Sequence, residues 1–193
     1  MVEKCGVQRE VKFAIIETMK KIKITRISGE VFSQRGFDEQ GCIGSACQDM
    51  CCAYGADVDK ESYDLIQEHR AKIERVSSSR FEDFFEQEWS GDKDFLGGNS
   101  IRSKVGTAGC IFRLPGQKGC ILFKLAADED LPRRIIPSIC RLFPLTWNNE
   151  TLEYYAKEDI PATCSCLEKK NSTERTIFET QQEAIDDIFE IHI

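Results

Sequence analysis

Four cysteines fall within the eleven residues of one short stretch, CIGSACQDMCC, which runs from Cys42 to Cys52. The chain has 193 residues and ten cysteines in all. A chain of this length can bury a sizeable core, so it does not need the disulfides that stabilise small secreted domains. Crowding so many thiols into one segment favours metal or cluster binding over disulfides or inert buried thiols.

The start of the chain, MVEKCGVQREVKFAIIETMKK, lacks the apolar run followed by small residues that is typical of a signal peptide. We therefore expect a cytoplasmic protein whose thiols stay reduced. No apolar run approaches the roughly 18 residues that a membrane helix needs. The sequence thus predicts no membrane contact.

The net charge of −7 argues against a nucleic-acid partner, because such a protein needs a basic face to displace counterions from phosphates. Metal ions are the expected ligands. Residues 1–26 hold seven Lys and Arg against three Glu, so a basic arm could contact an acidic protein partner. A solvated face is the simpler explanation of the same charges and the one we favour.

The mixture of helical and strand-like segments lacks a βαβ rhythm, so we expect an α+β fold. We expect a single irregular cysteine-rich metal-binding domain with several capped helices and short hairpins. Residues 1–36 form an N-terminal strand or helix extension, and residues 37–167 form the cysteine-cluster domain. Residues 168–193 form a C-terminal amphipathic helix that packs on this domain.

The first half of the chain predicts two helices after a strand. KIKITRI, residues 21–27, alternates apolar and polar side chains as a half-buried strand does, although a helix fits nearly as well. Asp59 can cap a helix over residues 60–76. Ser79 and Glu82 can form a capping box for a second helix. The aromatic side chains of that helix have core spacing and are Phe81, Phe84, Phe85 and Trp89.

The second half predicts short elements around the later cysteines. AGCIFRLPGQKGCILFKLA indicates two strands, opened by Cys110 and Cys120. The prolines of IIPSICRLFPLTW favour an irregular segment around Cys140 over a long helix. A hairpin turns at Asn148-Asn149. Asn171, together with Glu174, can cap the terminal helix.

Thiolates are the chemical reason for a metal prediction, since four of them complete a zinc site or a [4Fe–4S] cluster. Nine cysteines are candidate metal ligands: Cys42, Cys47, Cys51, Cys52, Cys110, Cys120, Cys140, Cys164 and Cys166. The C-x4-C-x3-C-C spacing of the first group is not that of two compact C-x2-C zinc knuckles. Scattered ligands suit a polynuclear centre or an unusual zinc site, and we favour an iron–sulfur cluster over zinc.

Two features of single cysteines stay open. In a helical turn, Cys51 and Cys52 could both reach one centre, whereas in a strand they would point to opposite faces. Cys140 lies beside apolar residues and could instead be a small core filler. Cys5 stands apart from the groups and fits a filler or an idle surface thiol.

Other residues offer little competing chemistry. The two histidines, His69 and His192, are expected to be structural and solvated, respectively. Nucleotide-binding, G-x-S-x-G and H-E-x-x-H motifs are absent from the sequence. Arg141, Arg113 and Lys124 could balance thiolate charge, or could be ordinary surface charges.

These residues carry a resemblance. The opening group that ends in Cys51-Cys52, the later pair in GCIF and GCILF, and the segment PSICRLFP resemble the YkgJ-like family of zinc- or iron-chelating proteins over about residues 37–167. CIGSACQDMCCAYGADVDKESYDL is similar to the opening of flagellin lysine N-methylases. The resemblance implies metal binding, as zinc or as an iron–sulfur centre, with Cys164 or Cys166 in the place of the last cysteine.

The sequence thus predicts a cytosolic metalloprotein that binds an iron–sulfur cluster or zinc through clustered cysteine thiolates, in a redox or accessory role. One alternative is an enzyme similar to protein lysine N-methylases, for which neither an acceptor groove nor a methyl source is visible in the sequence. Another alternative is a structural zinc-binding interaction module. Whether the chain catalyses a reaction is left open.

Overall fold

The computed structural model describes residues 20–37, 49–155 and 172–193. Short helices and short strands are mixed throughout these residues, which confirms the expected combination of the two. The helices are Gly29–Ser33 (α1), Lys60–Glu68 (α2), Arg70–Ser77 (α3), Ile121–Asp128 (α4), Ser138–Leu142 (α5), Ile177–Thr180 (α6) and Gln182–Ile188 (α7). No helix in these ranges is long and apolar enough to span a membrane.

Twelve strands in the described ranges pair into five small sheets. The strands are Ile22–Ile24 (β1), Arg26–Ile27 (β2), Arg35–Phe37 (β3), Asp57–Asp59 (β4), Phe85–Trp89 (β5), Ser100–Ser103 (β6), Val105–Gly106 (β7), Gly109–Cys110 (β8), Leu145–Asn148 (β9), Thr151–Tyr154 (β10), Ser172–Thr176 (β11) and Phe189–Ile191 (β12). The sheet orders are β1-β12, β2-β10-β9, β11-β3, β4-β6-β5 and β7-β8.

One hydrophobic core joins the two ends of the described chain. Strand β1 lies parallel to β12, with Ile22 opposite Phe189, which fixes the first strand against the last. Ile22 and Ile24 are buried and Lys23 is exposed, so the predicted strand at KIKITRI is confirmed. The predicted hairpin at Asn148-Asn149 is confirmed by the antiparallel pair β9–β10. Both contribute to this core because their alternating apolar side chains face inward.

Residues from the middle of the chain form a second hydrophobic core. Helices α2, α3 and α4 and strands β4, β5 and β6 contribute many of its buried residues, such as Val58, Ile66 and Leu125. Phe84 and Phe112 join this core from connecting segments. Asp59 caps α2 as predicted, because its side chain accepts a hydrogen bond from the backbone N–H of Ser62. The helix ends at Glu68, and α3 starts anew at Arg70, so the predicted single helix is two.

The second predicted helix, at residues 79–89, is wrong. The segment forms a 3₁₀ turn at Phe81–Asp83 and then strand β5, which pairs with β6. Phe84 and Phe85 are nonetheless buried, as their spacing predicted. Aromatic side chains suit strands as well as helices, and the pairing with β6 decides between them here.

The C-terminal prediction also needs correction. The predicted cap Asn171 lies outside the described residues, and the single predicted helix is two short helices, α6 from Ile177 and α7 from Gln182, followed by strand β12. Thr176 and Glu179 form the capping box, each accepting a hydrogen bond from the other's backbone N–H. Ser172–Thr176 form strand β11 instead, because they pair with β3.

Candidate metal centre

Five cysteines from four separate chain segments line one cavity of about 260 Å³. They are Cys51, Cys52, Cys110, Cys120 and Cys140. No disulfide joins any two of these five cysteines. The other four predicted ligands, Cys42, Cys47, Cys164 and Cys166, lie outside the described residues, as does Cys5.

The adjacent pair lies in a 3₁₀ turn, Met50–Ala53, and both of its thiols line the cavity. The Sγ atoms of Cys51 and Cys52 are 3.9 Å apart. The turn is closed by a 2.9 Å hydrogen bond from the backbone N–H of Cys52 to the carbonyl oxygen of Asp49. Of the two arrangements open to adjacent cysteines, the helical turn that lets both reach one centre is the one found.

Cys110 reaches the cavity at the end of a small hairpin, β7–β8. The sequence predicted a strand opened by Cys110, but Cys110 is the last residue of β8. Gly109 makes the close packing possible: its φ is +103°, and a Cβ there would lie 2.7 Å from the carbonyl oxygen of Cys52. The glycine therefore lets the hairpin touch the turn that carries the adjacent pair.

Cys120 stands at the N-terminus of α4 rather than opening a strand, so this prediction is wrong. The apolar run after Cys120 buries one face of a helix, with Ile121, Leu122 and Leu125 inside. Burial raises the pKa of the Cys120 thiol to about 12, although backbone N–H groups of Phe123 and Leu122 favour the thiolate.

Cys140 lies in α5, a helix between two prolines, rather than in the irregular segment that the sequence predicted, although the helix is short, as the two prolines require. A residue distant in the sequence holds the start of α5. The backbone N–H of Ser138 donates a 2.8 Å hydrogen bond to the carboxylate of Asp59. Burial raises the pKa of the Cys140 thiol, with Cys120 and Cys110 adding to the rise as nearby anions.

Three thiols of this cavity, those of Cys52, Cys120 and Cys140, have raised pKa values and therefore favour their neutral form. The hydrogen bond with Cys51 raises the pKa of Cys52, and burial and the neighbouring thiols raise it further. Several thiolates crowded into one apolar space repel one another, and a cation among them would relieve the repulsion.

Only one of the three basic residues expected near the site lines the cysteine cavity. Arg113 lines the cavity, and so does Arg102, which the sequence analysis missed. Arg141 instead forms an ion pair with Asp187 away from the cavity wall. Lys124 pairs with Asp128 at the surface. The sequence could not separate these cases, because all the basic residues stand close to a cysteine along the chain.

Asp49 is a second residue that the sequence analysis missed. It lines the cavity, only 8% of its surface is exposed, and its backbone is left-handed with φ at 55°. Its Oδ2 accepts a 2.7 Å hydrogen bond from the backbone N–H of Gly119, the residue before Cys120. An acidic residue between two cysteines is the only signal in the sequence, and it does not reveal burial.

The two histidines do not line the cysteine cavity. His69 lies between α2 and α3, and the exposed His192 is 3.3 Å from Glu190. Histidine nitrogen is therefore not part of this donor set. The cavity walls are otherwise largely apolar and include Val58, Phe112, Leu122, Phe123 and Ile139.

The donor set fits a metal centre in chemistry, since five thiols and two carboxylates, those of Asp49 and Asp57, line one cavity. In the described part of the chain, no three His, Cys, Asp or Glu side chains are already arranged to hold an ion. A bound metal would therefore require these side chains to turn toward it. Comparisons with family models, with curated proteins and with solved structures found no match to this chain.

Proposed function

We propose that the chain is a metalloprotein that binds an iron–sulfur cluster or zinc through the thiolates of its clustered cysteines, in a redox or accessory role. The observation that carries the proposal is the convergence of Cys51, Cys52, Cys110, Cys120 and Cys140 on one cavity. Cys51 and Cys140 are 89 positions apart, and the five residues come from a 3₁₀ turn, a hairpin, the N-cap of one helix and the interior of another. Core filling alone gives no reason for five thiols from such different elements to meet.

The distance between the Sγ atoms of Cys51 and Cys52 limits which kinds of metal centre fit this pair. Four thiolates around one metal at about 2.3 Å form a tetrahedron whose edge is about 3.8 Å. The Sγ atoms of Cys51 and Cys52 are 3.9 Å apart, so this pair fits two thiolates on one metal. Zinc with four cysteines meets this condition, and so does a [2Fe–2S] cluster, in which four cysteines serve two irons.

The residues of the chain have separate tasks in this proposal. The five described cysteines would hold the metal, and Cys42, Cys47, Cys164 and Cys166 remain candidate ligands from the sequence. The apolar walls would keep water from the site, which limits oxidation of the thiolates and loss of the metal to solvent. An iron–sulfur cluster would supply one-electron chemistry, whereas zinc would supply structural cross-linking.

Absorption spectroscopy of anaerobically purified protein tests the proposal, with iron, zinc and acid-labile sulfide measured on the same sample. We expect either iron matched by sulfide with absorption near about 400 nm, or a colourless protein with stoichiometric zinc. The variants C120S and C140S should lose most of the metal, and C5S should keep it. A folded protein without metal, whose thiols all react freely, would overturn the proposal.

A further inference from the structure

We propose that Asp187 is a positioning residue of the metal centre, because it holds Arg141 and thereby keeps the Cys140 thiol turned into the cysteine cavity. The inference rests on the metal-binding function proposed above. It gives a role to a residue of the C-terminal helix α7 that does not line the cavity. The observation that carries it is a nearly buried arginine, directly after Cys140 in helix α5, that pairs with Asp187.

The charge of Arg141 needs a partner, because its side chain is only 5% exposed. Within the described residues, Asp187 is the one acid that pairs with it. Its other hydrogen bonds go to the carbonyl oxygen of Ile136 at 3.1 Å and to the hydroxyl of Ser138 at 3.5 Å, which are neutral acceptors. The guanidinium of Arg141 is therefore compensated from helix α7.

Helix geometry links Arg141 to the neighbouring thiol. Successive side chains of an α-helix point about 100° apart, so a fixed direction for Arg141 also fixes the direction of Cys140. Cys140 lines the cysteine cavity and Arg141 does not. Helix α5 has five residues, Ser138–Leu142, so contacts with neighbouring elements must set its rotation.

Helix α7 holds the chain on both sides of Cys140. Before α5, Nε of Arg134 donates to the carboxylate of Asp187 at 2.9 Å, and Nη2 donates to the carbonyl oxygen of Asp187 at 2.6 Å. After α5, the side chain of Gln181 at the N-cap of α7 donates a 2.9 Å hydrogen bond to the carbonyl oxygen of Phe143. The ion pair of Asp187 with Arg141 lies between these two contacts and is the one made by α5 itself.

Loss of the Asp187 charge should affect Arg141 more than Arg134. Arg134 keeps a second acid, because its Nη1 is 2.7 Å from the carboxylate of Glu61. Arg141 would be left as a buried cation without a counter-charge, so its side chain must move toward water or toward the thiolates. Either movement changes the direction in which α5 presents the Cys140 thiol.

Alkylation of the metal-loaded protein by iodoacetamide, measured at each cysteine by mass spectrometry, tests the inference. In the wild-type protein we expect all five cavity thiols to be protected. In D187N, Cys140 should react roughly fivefold faster or more, because α5 moves locally, while Cys51 and Cys52 stay protected. Equal acceleration at all five thiols would indicate a general loss of stability and would overturn the inference, and so would an unchanged rate at Cys140.

Two control variants separate positioning from charge and from stability. D186N removes the same charge from the neighbouring, exposed position of α7 and should leave Cys140 protected. V31A removes buried methyl groups from helix α1 in the first core, and it should destabilise the protein without a selective effect on Cys140. Selective alkylation of Cys140 in either control would overturn the inference.

A double variant tests whether Asp187 acts through Arg141. In the R141Q background, loss of the Asp187 charge leaves no buried cation, so D187N should not accelerate the reaction of Cys140 further. If the effects of D187N and R141Q on the rate at Cys140 multiply as independent changes do, Asp187 does not act through Arg141 and the inference is overturned.

The two proposals fail in different ways in these experiments. If the purified protein holds no metal and takes up none, the proposed function fails and the role of Asp187 at the metal centre falls with it. If the protein holds metal and D187N leaves Cys140 as well protected as in wild type, the proposed function stands and the role of Asp187 alone is wrong.

Discussion

The carboxylate of Asp59 accepts a 2.8 Å hydrogen bond from the backbone N–H of Ser138, which lies 79 residues further along the chain. The same carboxylate caps helix α2 through the N–H and hydroxyl of Ser62. Asp59 is fully buried and therefore ties the start of α2 to the start of α5, the helix that carries Cys140. One side chain thus links the central core to a wall of the cysteine cavity.

Replacing Asp59 with alanine should strongly destabilise the protein. A lost N-cap costs about 1 kcal/mol, and a buried N–H left without a partner costs about 1–3 kcal/mol more. We expect D59A to lower the free energy of unfolding by roughly 2–4 kcal/mol in urea denaturation. D64A is the control, because Asp64 is on the same helix in an exposed pair with Lys60 and should cost under about 1 kcal/mol.

Replacing Gly109 with alanine should disturb the cysteine cavity, whereas Gly106 in the same hairpin should tolerate the change. An added Cβ would lie 2.7 Å from the carbonyl oxygen of Cys52 at position 109 and meets nothing within 4 Å at position 106. Because backbone must move, we expect G109A to weaken metal binding by roughly 10- to 100-fold. Chelator competition on G109A and G106A measures this, and equal affinities would contradict the packing described for Cys110.

Much of the fold could be predicted where the signal is local. The alternation in KIKITRI, the cap at Asp59 and the Asn148-Asn149 turn each depend on neighbouring residues, and all three are confirmed. The helix at residues 79–89 is wrong because pairing with β6, more than ten residues later, overrides a spacing that fits both structures. The late start of α6 has a similar cause, the distant partner β3.

The candidate site shows the same difference between local signals and contacts that are distant in sequence. Cysteine type and number predicted thiol ligands, but no local pattern predicts that Cys51 and Cys140 line one cavity. Asp49 could not be singled out either, because its burial and its bond to Gly119 depend on contacts distant in sequence. The sequence therefore predicts the kind of donor, and the tertiary contacts decide which donors meet.

Asp187 makes stability sensitive to acid. Burial opposes its ionisation, but hydrogen bonds and charge from Arg141 and then Arg134 outweigh burial and lower its pKa. A group whose pKa is lower in the folded state stabilises above its unfolded value, about 3.9, and loses that effect as pH falls through the folded pKa. The contribution should thus be present from pH 5 to 7 and fade below about pH 4.

The variant D187N removes this contribution. It should reduce the free energy of unfolding by about 1–3 kcal/mol at pH 6, a modest figure because 35% of the Asp187 side chain is exposed to screening solvent. Urea denaturation between pH 3 and pH 7 should show the gap between wild type and D187N closing toward low pH. D186N alters the neighbouring exposed residue, and its free energy of unfolding should equal that of wild type at every pH. A difference between wild type and D187N that stays constant with pH would rule out a link between the ionisation of Asp187 and stability.

The buried thiols should make the metal-free protein sensitive to alkali. The pKa of Cys120 is raised to about 12 by burial, against about 8.5 for an unfolded cysteine. Between these values the unfolded chain loses the proton and the folded chain keeps it, so the free energy of unfolding falls as pH rises from about 8.5. Each such thiol contributes a slope of about 1.4 kcal/mol per pH unit.

Denaturation of the metal-free protein at pH 7, 8, 9 and 10 measures this slope, and Cys140, whose pKa is also raised, adds to it. C120A should reduce this slope by the contribution of one thiol, about 1.4 kcal/mol per pH unit, because alanine cannot ionise in either state. Metal should reverse the sign, since bound thiolates have already lost their protons and affinity for the cation rises with pH. A metal-free protein with equal stability at pH 7 and pH 10 would mean that these thiols ionise freely, and the cavity described for them would then be open to water.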